Sequence, residues 1–88
     1  MRFTDNVKIR DVAGEHIIML MGSKATDLTK VIALNDSSLH IYNALKDVDF
    51  EVEDVVRVML DSYDVDEATA RRDAQEWVEK MKGEMLIA

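Results

Sequence analysis

Residues 31–46, VIALNDSSLHIYNALK, decide the fold. The run 31–34 is β-branched or apolar, which favours a strand. The four polar residues 35–38 follow, and side chains of this kind favour turns and helix N-caps. Beyond them Ile41 and Leu45 recur at helical spacing, so the hydrophobic period changes from two to about 3.6 within a few residues. This change predicts a sheet before the stretch and helices after it.

Before this stretch the pattern predicts three strands. Residues 7–12 alternate apolar and charged side chains, residues 16–21 are mostly apolar, and residues 28–34 form a third run. Gly14 suits a tight turn after the first strand, and residues 22–27 form a polar loop after the second. Such short connections predict an antiparallel meander. The second strand is apolar on both faces, which predicts neighbours on both sides or cover over both faces.

After this stretch the pattern predicts three amphipathic helices. They are expected at residues 36–46, at residues 52–62 and from Asp66 to about Gly83. Asn35 or Asp36 is the expected N-cap of the first helix, and Asp66 that of the third. Gly83 is placed to end the third helix as its C′ residue. The apolar tail 85–87 is expected to pack against the rest of the chain as a brief extra strand.

Length and composition predict one α+β domain over residues 1–88, with a sheet half at about 7–34 and a helical half at about 35–88. Hydrophobic residues make up 48% of the chain, which argues against disorder despite 33% charged residues. The chain has no cysteine, so a disulfide framework and thiolate chemistry are excluded.

The charge and the hydropathy of the chain limit the classes of partner and the cellular location that we expect for it. The net charge is −7, with 11 basic against 18 acidic residues, which is the wrong balance for neutralising nucleic-acid phosphates. Residues 17–21 form the longest apolar run, far shorter than the roughly 20 residues that span a bilayer. The first ten residues lack the apolar core of a secretory signal. We therefore expect a cytoplasmic protein that binds neither nucleic acid nor membrane.

Nothing in the pattern predicts catalysis, a metal site or a cofactor. His16 and His40 lie far apart in the chain without ligand-spaced partners. The acidic run 61–67 lacks the glycine and the terminal glutamate of a calcium loop, so the end of one helix and the N-cap of the next explain it better. No glycine-rich loop is present to hold a phosphate. We expect a non-catalytic protein.

One candidate site remains, at the edge of the third strand. A three-stranded meander leaves two edges unpaired, and an unpaired edge accepts a peptide as an added strand. If the third helix lies across from that edge, the two elements form a groove. In the alternative arrangement, the tail or the amino-terminal residues cover the edge.

Residues 31–35, Val-Ile-Ala-Leu-Asn, begin a pattern that resembles the PqqD-like family, named for coenzyme PQQ synthesis protein D. An amphipathic helix follows, and then the helix start Val-Glu-Asp-Val-Val at 52–56. The similarity continues through residues 72–83, so that it covers about residues 7–87. Residues 47–51 depart from the family pattern because they lack its Asp-Gly turn and its Thr cap.

The resemblance implies a winged-helix-like fold, with a three-stranded antiparallel sheet followed by a three-helix bundle. It also implies a recognition element for ribosomally made, post-translationally modified peptides (a RiPP recognition element). Such a peptide chaperone binds the leader of a precursor and presents it to a modifying enzyme, often a radical S-adenosylmethionine protein. The leader adds beside the third strand, in the cleft with the third helix. Carried over by position, the peptide-binding residues are Leu28, Thr29, Lys30, Val31, Ile32, Ala33, Arg71, Arg72, Gln75 and Glu76.

Three alternatives stay open. The four residues of the third helix could form only a solvated face with pairs such as Arg72–Glu76. The chain could be a winged-helix regulator that binds nucleic acid, although acidic residues on the same helix weaken that interpretation. Its phosphate contacts would be Arg71, Arg72, Lys80 and Lys82. The chain could also be a structural subunit, held in a larger complex by its tail or its sheet edge.

Overall fold

The sheet precedes the helices along the chain, as the change of period predicts. The computed structural model describes residues 1–20 and 30–87. Its elements are β1 (Val7–Val12), β2 (Glu15–Leu20), β3 (Lys30–Leu34), α1 (Asp36–Leu45), α2 (Val52–Ser62) and α3 (Glu67–Gly83). This order confirms the expected three-stranded antiparallel sheet followed by three helices. Met21, the predicted loop 22–27, and the predicted strand residues Leu28 and Thr29 lie outside the described residues.

The three strands form one antiparallel sheet in the order β1-β2-β3. Ile18 of β2 lies opposite Ile9 of β1 and Ile32 of β3, and both Ile18 and Ile32 are buried against the helices. The β1–β2 turn places Ala13 at φ 53° and Gly14 at φ 84°, the two consecutive positive values that a tight hairpin of this twist requires. Because β2 is central, its apolar residues on both faces have neighbouring strands on both sides.

The junction between sheet and helices is held by side chains of residues 35–38. Asn35 is the N-cap of α1, and its Oδ1 accepts a hydrogen bond from the Ser38 N–H at 2.8 Å. The Ser38 hydroxyl in turn accepts a hydrogen bond from Nε1 of Trp77 on α3, at 3.1 Å. One serine therefore joins the end of β3, the first turn of α1 and the middle of α3.

The helix bounds agree with the periodicity, and the caps explain how each helix begins. The side chain of Asp54 accepts a hydrogen bond from the Glu51 N–H at 2.8 Å, which closes the start of α2 without the family's Gly and Thr. Asp66 caps α3 as expected, since its side chain accepts a hydrogen bond from the Thr69 N–H at 3.3 Å. None of these helices, within residues 1–20 and 30–87, has the length and apolar content needed to cross a bilayer.

The prediction for the end of α3 is wrong in one detail. Gly83 is the last residue of the helix, and the left-handed C′ position belongs to Met85, with φ 64°. The N–H of Leu86 bonds to the Met81 carbonyl at 3.0 Å, and that of Met85 bonds to the Lys82 carbonyl at 3.0 Å, the two bonds of a Schellman cap. Met81 and Leu86 are both fully buried, so the apolar contact across the cap outweighs the preference for glycine at C′.

The tail packs on the amino-terminal residues, as expected, but it does so through one isolated bridge and forms no named strand. Phe3 and Ile87 form an isolated antiparallel bridge, and the Thr4 N–H donates to the Leu86 carbonyl at 2.9 Å. The Phe3 ring, which the sequence pattern did not place, is the centre of an aromatic cluster. Its centroid lies 4.7 Å from that of Tyr42, 5.0 Å from that of Phe50 and 5.8 Å from that of Trp77.

Trp77→Phe tests the bond at the junction. It keeps an aromatic ring in the cluster but removes the indole donor to Ser38, so we expect a loss of about 1–2 kcal/mol in the free energy of unfolding. Urea denaturation followed by circular dichroism measures the loss. Ser38→Ala and the double variant complete a double-mutant cycle. If the bond forms, the losses of stability in the two single variants should not add in the double variant. Strictly additive losses would contradict it.

Candidate functional site

The outer edge of β3 is unpaired among the residues that the structure describes. β3 lies at the end of the sheet, and β2 is its strand partner. The tail and the amino-terminal residues, which could have covered this edge, pair with each other through Phe3 and Ile87 instead. In the described part of the chain, the backbone N–H and C=O groups on this edge therefore keep their capacity to pair with a further strand.

The side chains of β3 alternate between a buried and an open face. Ile32 and Leu34 point into the core and are 7% and 6% exposed. Val31 is 59% exposed, and Ala33 is also exposed on the same side. A strand added at this edge would continue the alternation, with one set of its side chains toward the helices and the other toward the open face.

α3 buries one stripe and exposes the opposite side. Its buried residues are Ala70, Ala74, Trp77, Val78 and Met81. Of the predicted contacts on this helix, Arg72, Gln75 and Glu76 are exposed and Arg71 is half-buried. The bond from Trp77 to Ser38 brings α3 against the first turn of α1, a few residues beyond β3.

Arg71 is engaged by carboxylates of the helical half. Its guanidinium makes a two-pronged ion pair with Glu53 of α2, in which Nη2 lies 3.1 Å from Oε2, and Nη2 also lies 3.3 Å from a carboxylate oxygen of Glu67. The hydrogen bond from Arg71 lowers the pKa of Glu53, and the two carboxylates raise that of Arg71. This side chain therefore links α2 to α3.

Arg72 pairs with a neighbour other than the one suggested by helical spacing. Its Nε lies 3.7 Å from Oδ1 of Asp73, whereas the spacing suggested Glu76. The Arg72 side chain is 69% exposed, so the pair is a solvent-screened contact that can break at little cost. Gln75 and Glu76 are exposed one turn further along. These polar side chains remain accessible to a ligand.

The pockets of the described residues include two near the start of α1. The larger, of about 380 Å³, lies between the β1–β2 turn and the end of β3, and it is lined by residues 14–16 and 33–36. The smaller, of about 170 Å³, lies among the three helices, and its walls are mainly apolar. It is lined by Ser37, Ile41, Met59, Tyr63, Val65, Ala70 and Asp73. The first pocket includes Ala33 and Leu34 of β3, whereas the second includes no residue of β3.

His16 has partners that the sequence analysis missed. Its Nδ1 lies 2.6 Å from Oδ1 of Asp11, and its Nε2 lies 2.6 Å from Oδ1 of Asp36, so the ring joins β1, β2 and the start of α1. Both ring nitrogens donate only when the imidazole is protonated. The hydrogen bond to Asp11, and next that to Asp36, therefore raise the pKa of His16. The hairpin register was the available signal, because it sets Asp11 directly opposite His16.

The other histidine bridges two helices. Nε2 of His40 on α1 lies 2.8 Å from Oγ of Ser62 at the end of α2. Neither histidine belongs to a metal-binding cluster, since residues 1–20 and 30–87 contain no group of three or more histidine and carboxylate side chains that could hold an ion.

Comparison with known proteins gives one family and one similar structure. The sequence model of the family described as coenzyme PQQ synthesis protein D matches residues 15–87. A solved structure of TbiB1 in complex with the TbiA(beta) leader peptide aligns with a TM-score of 0.75 and 18% sequence identity. The alignment covers 99% of this chain and 94% of that chain, which shows the same fold. No curated protein matches the chain.

The contacts of His16 predict a pH-dependent stability. The folded-state pKa is raised above its ordinary value of 6.5. The stabilisation is therefore fully present below the unfolded-state pKa and is lost as the pH rises through the folded-state pKa. Urea denaturation at intervals from about pH 5.5 to 8.5 should show the free energy of unfolding falling across this range.

Substitution of each histidine in turn shows which one causes the slope of the free energy of unfolding against pH. His16→Gln should remove it, because glutamine does not titrate. His40→Gln is the matched control and should retain it. A slope that survives in His16→Gln would contradict the assignment to His16.

Proposed function

Because the chain belongs to the family of coenzyme PQQ synthesis protein D, we propose that it recognises the leader segment of a ribosomally made precursor peptide. It binds that leader and presents it to the enzyme that modifies the precursor. The outer edge of β3, which no strand of residues 1–20 and 30–87 pairs with, is the observation that carries the proposal. The likeness to TbiB1, whose structure contains a leader peptide, supports it.

The proposed mode of binding is strand addition. The exposed edge of β3 offers backbone donors and acceptors that a peptide in extended conformation can pair with, which supplies affinity. Specificity comes from side chains that alternate along the added strand, because every second one falls beside a pocket or a helix. The pocket at the end of β3, lined by residues 14–16 and 33–36, is suited to receive such a side chain.

The proposed contacts fall into two groups. The strand group provides mainly backbone pairing, and the helix group provides polar side chains beside the added strand. The strand group is Leu28, Thr29, Lys30, Val31, Ile32 and Ala33. The helix group is Arg71, Arg72, Gln75 and Glu76. Within the helix group, Arg71 has the least freedom to contact a peptide, because Glu53 and Glu67 already bind its guanidinium.

We further propose that the chemistry belongs to the partner enzyme, a radical S-adenosylmethionine protein being the first candidate, and that this chain acts without catalysis in the cytoplasm. The alternative of a nucleic-acid-binding regulator is not favoured. Arg71, one of its four proposed phosphate contacts, is already bound by the carboxylates of Glu53 and Glu67. A net charge of −7 also opposes approach to a polyanion.

A titration followed by NMR tests the site. The ¹⁵N-labelled protein is titrated with a synthetic leader peptide, taken from the precursor encoded beside this chain. Strand addition predicts amide shifts at residues 30–34 and along α3. The amides of β1, at the opposite edge of the same sheet, are the internal control and should not move. Shifts confined to β1 and α2 would contradict the proposed site.

Substitutions on α3 distinguish residues that contact the leader peptide from residues that stabilise the packing of the helices. Arg72→Ala and Gln75→Ala should each weaken leader binding by about threefold to tenfold, because they remove polar contacts at the rim. Arg71→Ala should have the smallest effect of the helix group, within about twofold in the dissociation constant, because Glu53 and Glu67 already bind its guanidinium. Fluorescence anisotropy with a labelled leader measures all three.

Glu53→Gln is the matched control for Arg71→Ala. It weakens the same ion pair from the α2 side and keeps the arginine. If Arg71→Ala lowers leader affinity and Glu53→Gln does not, Arg71 is itself a peptide contact, as the sequence predicts. If neither lowers it, Arg71 supports the helix packing only.

A further inference from the structure

The sheet has a second face, turned away from the helices. The strand register arranges its side chains in two rows across the three strands, and we call these six residues the outer sheet face. The first row is Lys8, Met19 and Val31, and the second is Arg10, Ile17 and Ala33. The opposite face carries Ile18 and Ile32, which are buried under the helices.

The composition of the outer sheet face is unusual for an open surface. An antiparallel sheet with one solvated face normally alternates apolar residues inward with polar residues outward. Here the outward positions of β2 and β3 in these rows are all apolar, namely Ile17, Met19, Val31 and Ala33. Val31 is 59% exposed and Val12 at the end of β1 is 51% exposed, while Ile17 and Met19 on the central strand are half-buried. A contiguous apolar patch of this kind marks an interaction surface.

Two cations border the patch along β1. Lys8 and Arg10 are both exposed, and within residues 1–20 and 30–87 neither has a carboxylate partner. Their positive charge contrasts with the net charge of −7 carried by the whole chain. The patch is therefore apolar in its middle and on the β3 side, and it is basic along β1. Its complement is an apolar surface bordered by carboxylates.

We propose that the outer sheet face docks the modifying enzyme, through an apolar area of that enzyme flanked by acidic side chains. The identity of this partner rests on the proposed function, whereas the chemistry of the surface does not. A leader paired with the edge of β3 would leave this face open, so the peptide and the enzyme can bind at the same time. The enzyme would then sit beside the strand that holds its substrate.

Other occupants fit this surface less well. A second copy of the chain, packed face to face, would bring Lys8 and Arg10 of both copies into one interface, where the described strands supply one carboxylate per copy on this face, that of Glu15. An anionic membrane would attract the two cations by about 1 kcal/mol each, against the repulsion of a chain with a net charge of −7. A protein with an acidic, partly apolar surface meets neither obstacle.

The test uses the full chain and the purified maturation enzyme encoded beside it. Lys8→Glu/Arg10→Glu reverses both charges at exposed positions of the edge strand. Biolayer interferometry should show enzyme binding weakened by about tenfold or more, since like charges now face each other. The affinity for the labelled leader should stay within about twofold. Met19→Gln, which removes apolar area at the centre of the first row, should weaken enzyme binding in the same way.

Lys46→Glu/Lys82→Glu is the matched control, because it changes the net charge equally at exposed positions outside this face. It should leave enzyme binding unchanged. Equal enzyme binding by all variants, or no binding by the unmodified chain, would overturn the inference. The inference would also be overturned if the main effect of the Lys8/Arg10 variant were a loss of self-association or a loss of binding to phosphatidylglycerol vesicles. If the unmodified chain binds enzyme but no leader, leader recognition fails while the docking surface stands.

Discussion

The hydrogen bond between the Trp77 indole and the Ser38 hydroxyl is the contact on which the arrangement of the two halves depends. Ser38 is held from the other side by Asn35, the residue that ends β3 and begins α1. The direction in which the chain leaves the sheet is therefore coupled to the position of α3. The Phe3 ring, whose centroid lies 5.8 Å from that of Trp77, adds a second contact that holds α3 against the core.

The same architecture explains how an edge strand can stay open. Unpaired edges invite aggregation, and proteins usually cover or shorten them. Here the amino-terminal residues and the tail pair with each other instead of covering β3. They do so through the bridge between Phe3 and Ile87 and through the aromatic cluster around Phe3. An edge of β3 that is unpaired among the described residues is therefore compatible with the proposed role of accepting a peptide strand.

The charged side chains are distributed unevenly over the surface, and the regions that they define have different proposed roles. Arg71 and Glu53 neutralise each other between α2 and α3, and His16 is enclosed by two carboxylates at the corner of the sheet. Lys8 and Arg10 lie on the sheet face that the helices leave open. Affinity for a peptide would come from backbone pairing at the edge, and affinity for an enzyme from the apolar and basic face beside it.

The sequence by itself determined the order of the elements, the approximate helix bounds and the N-cap Asp66, and it limited the N-cap of α1 to Asn35 or Asp36, because periodicity and capping act within a few residues. The tertiary structure decided which distant residues meet: Phe3 with Ile87, His16 with Asp36, and Arg71 with Glu53. It also moved the C′ position from Gly83 to Met85, since burial of Leu86 outweighed a local preference. Contacts of this kind depend on how whole elements pack, and no local pattern encodes them.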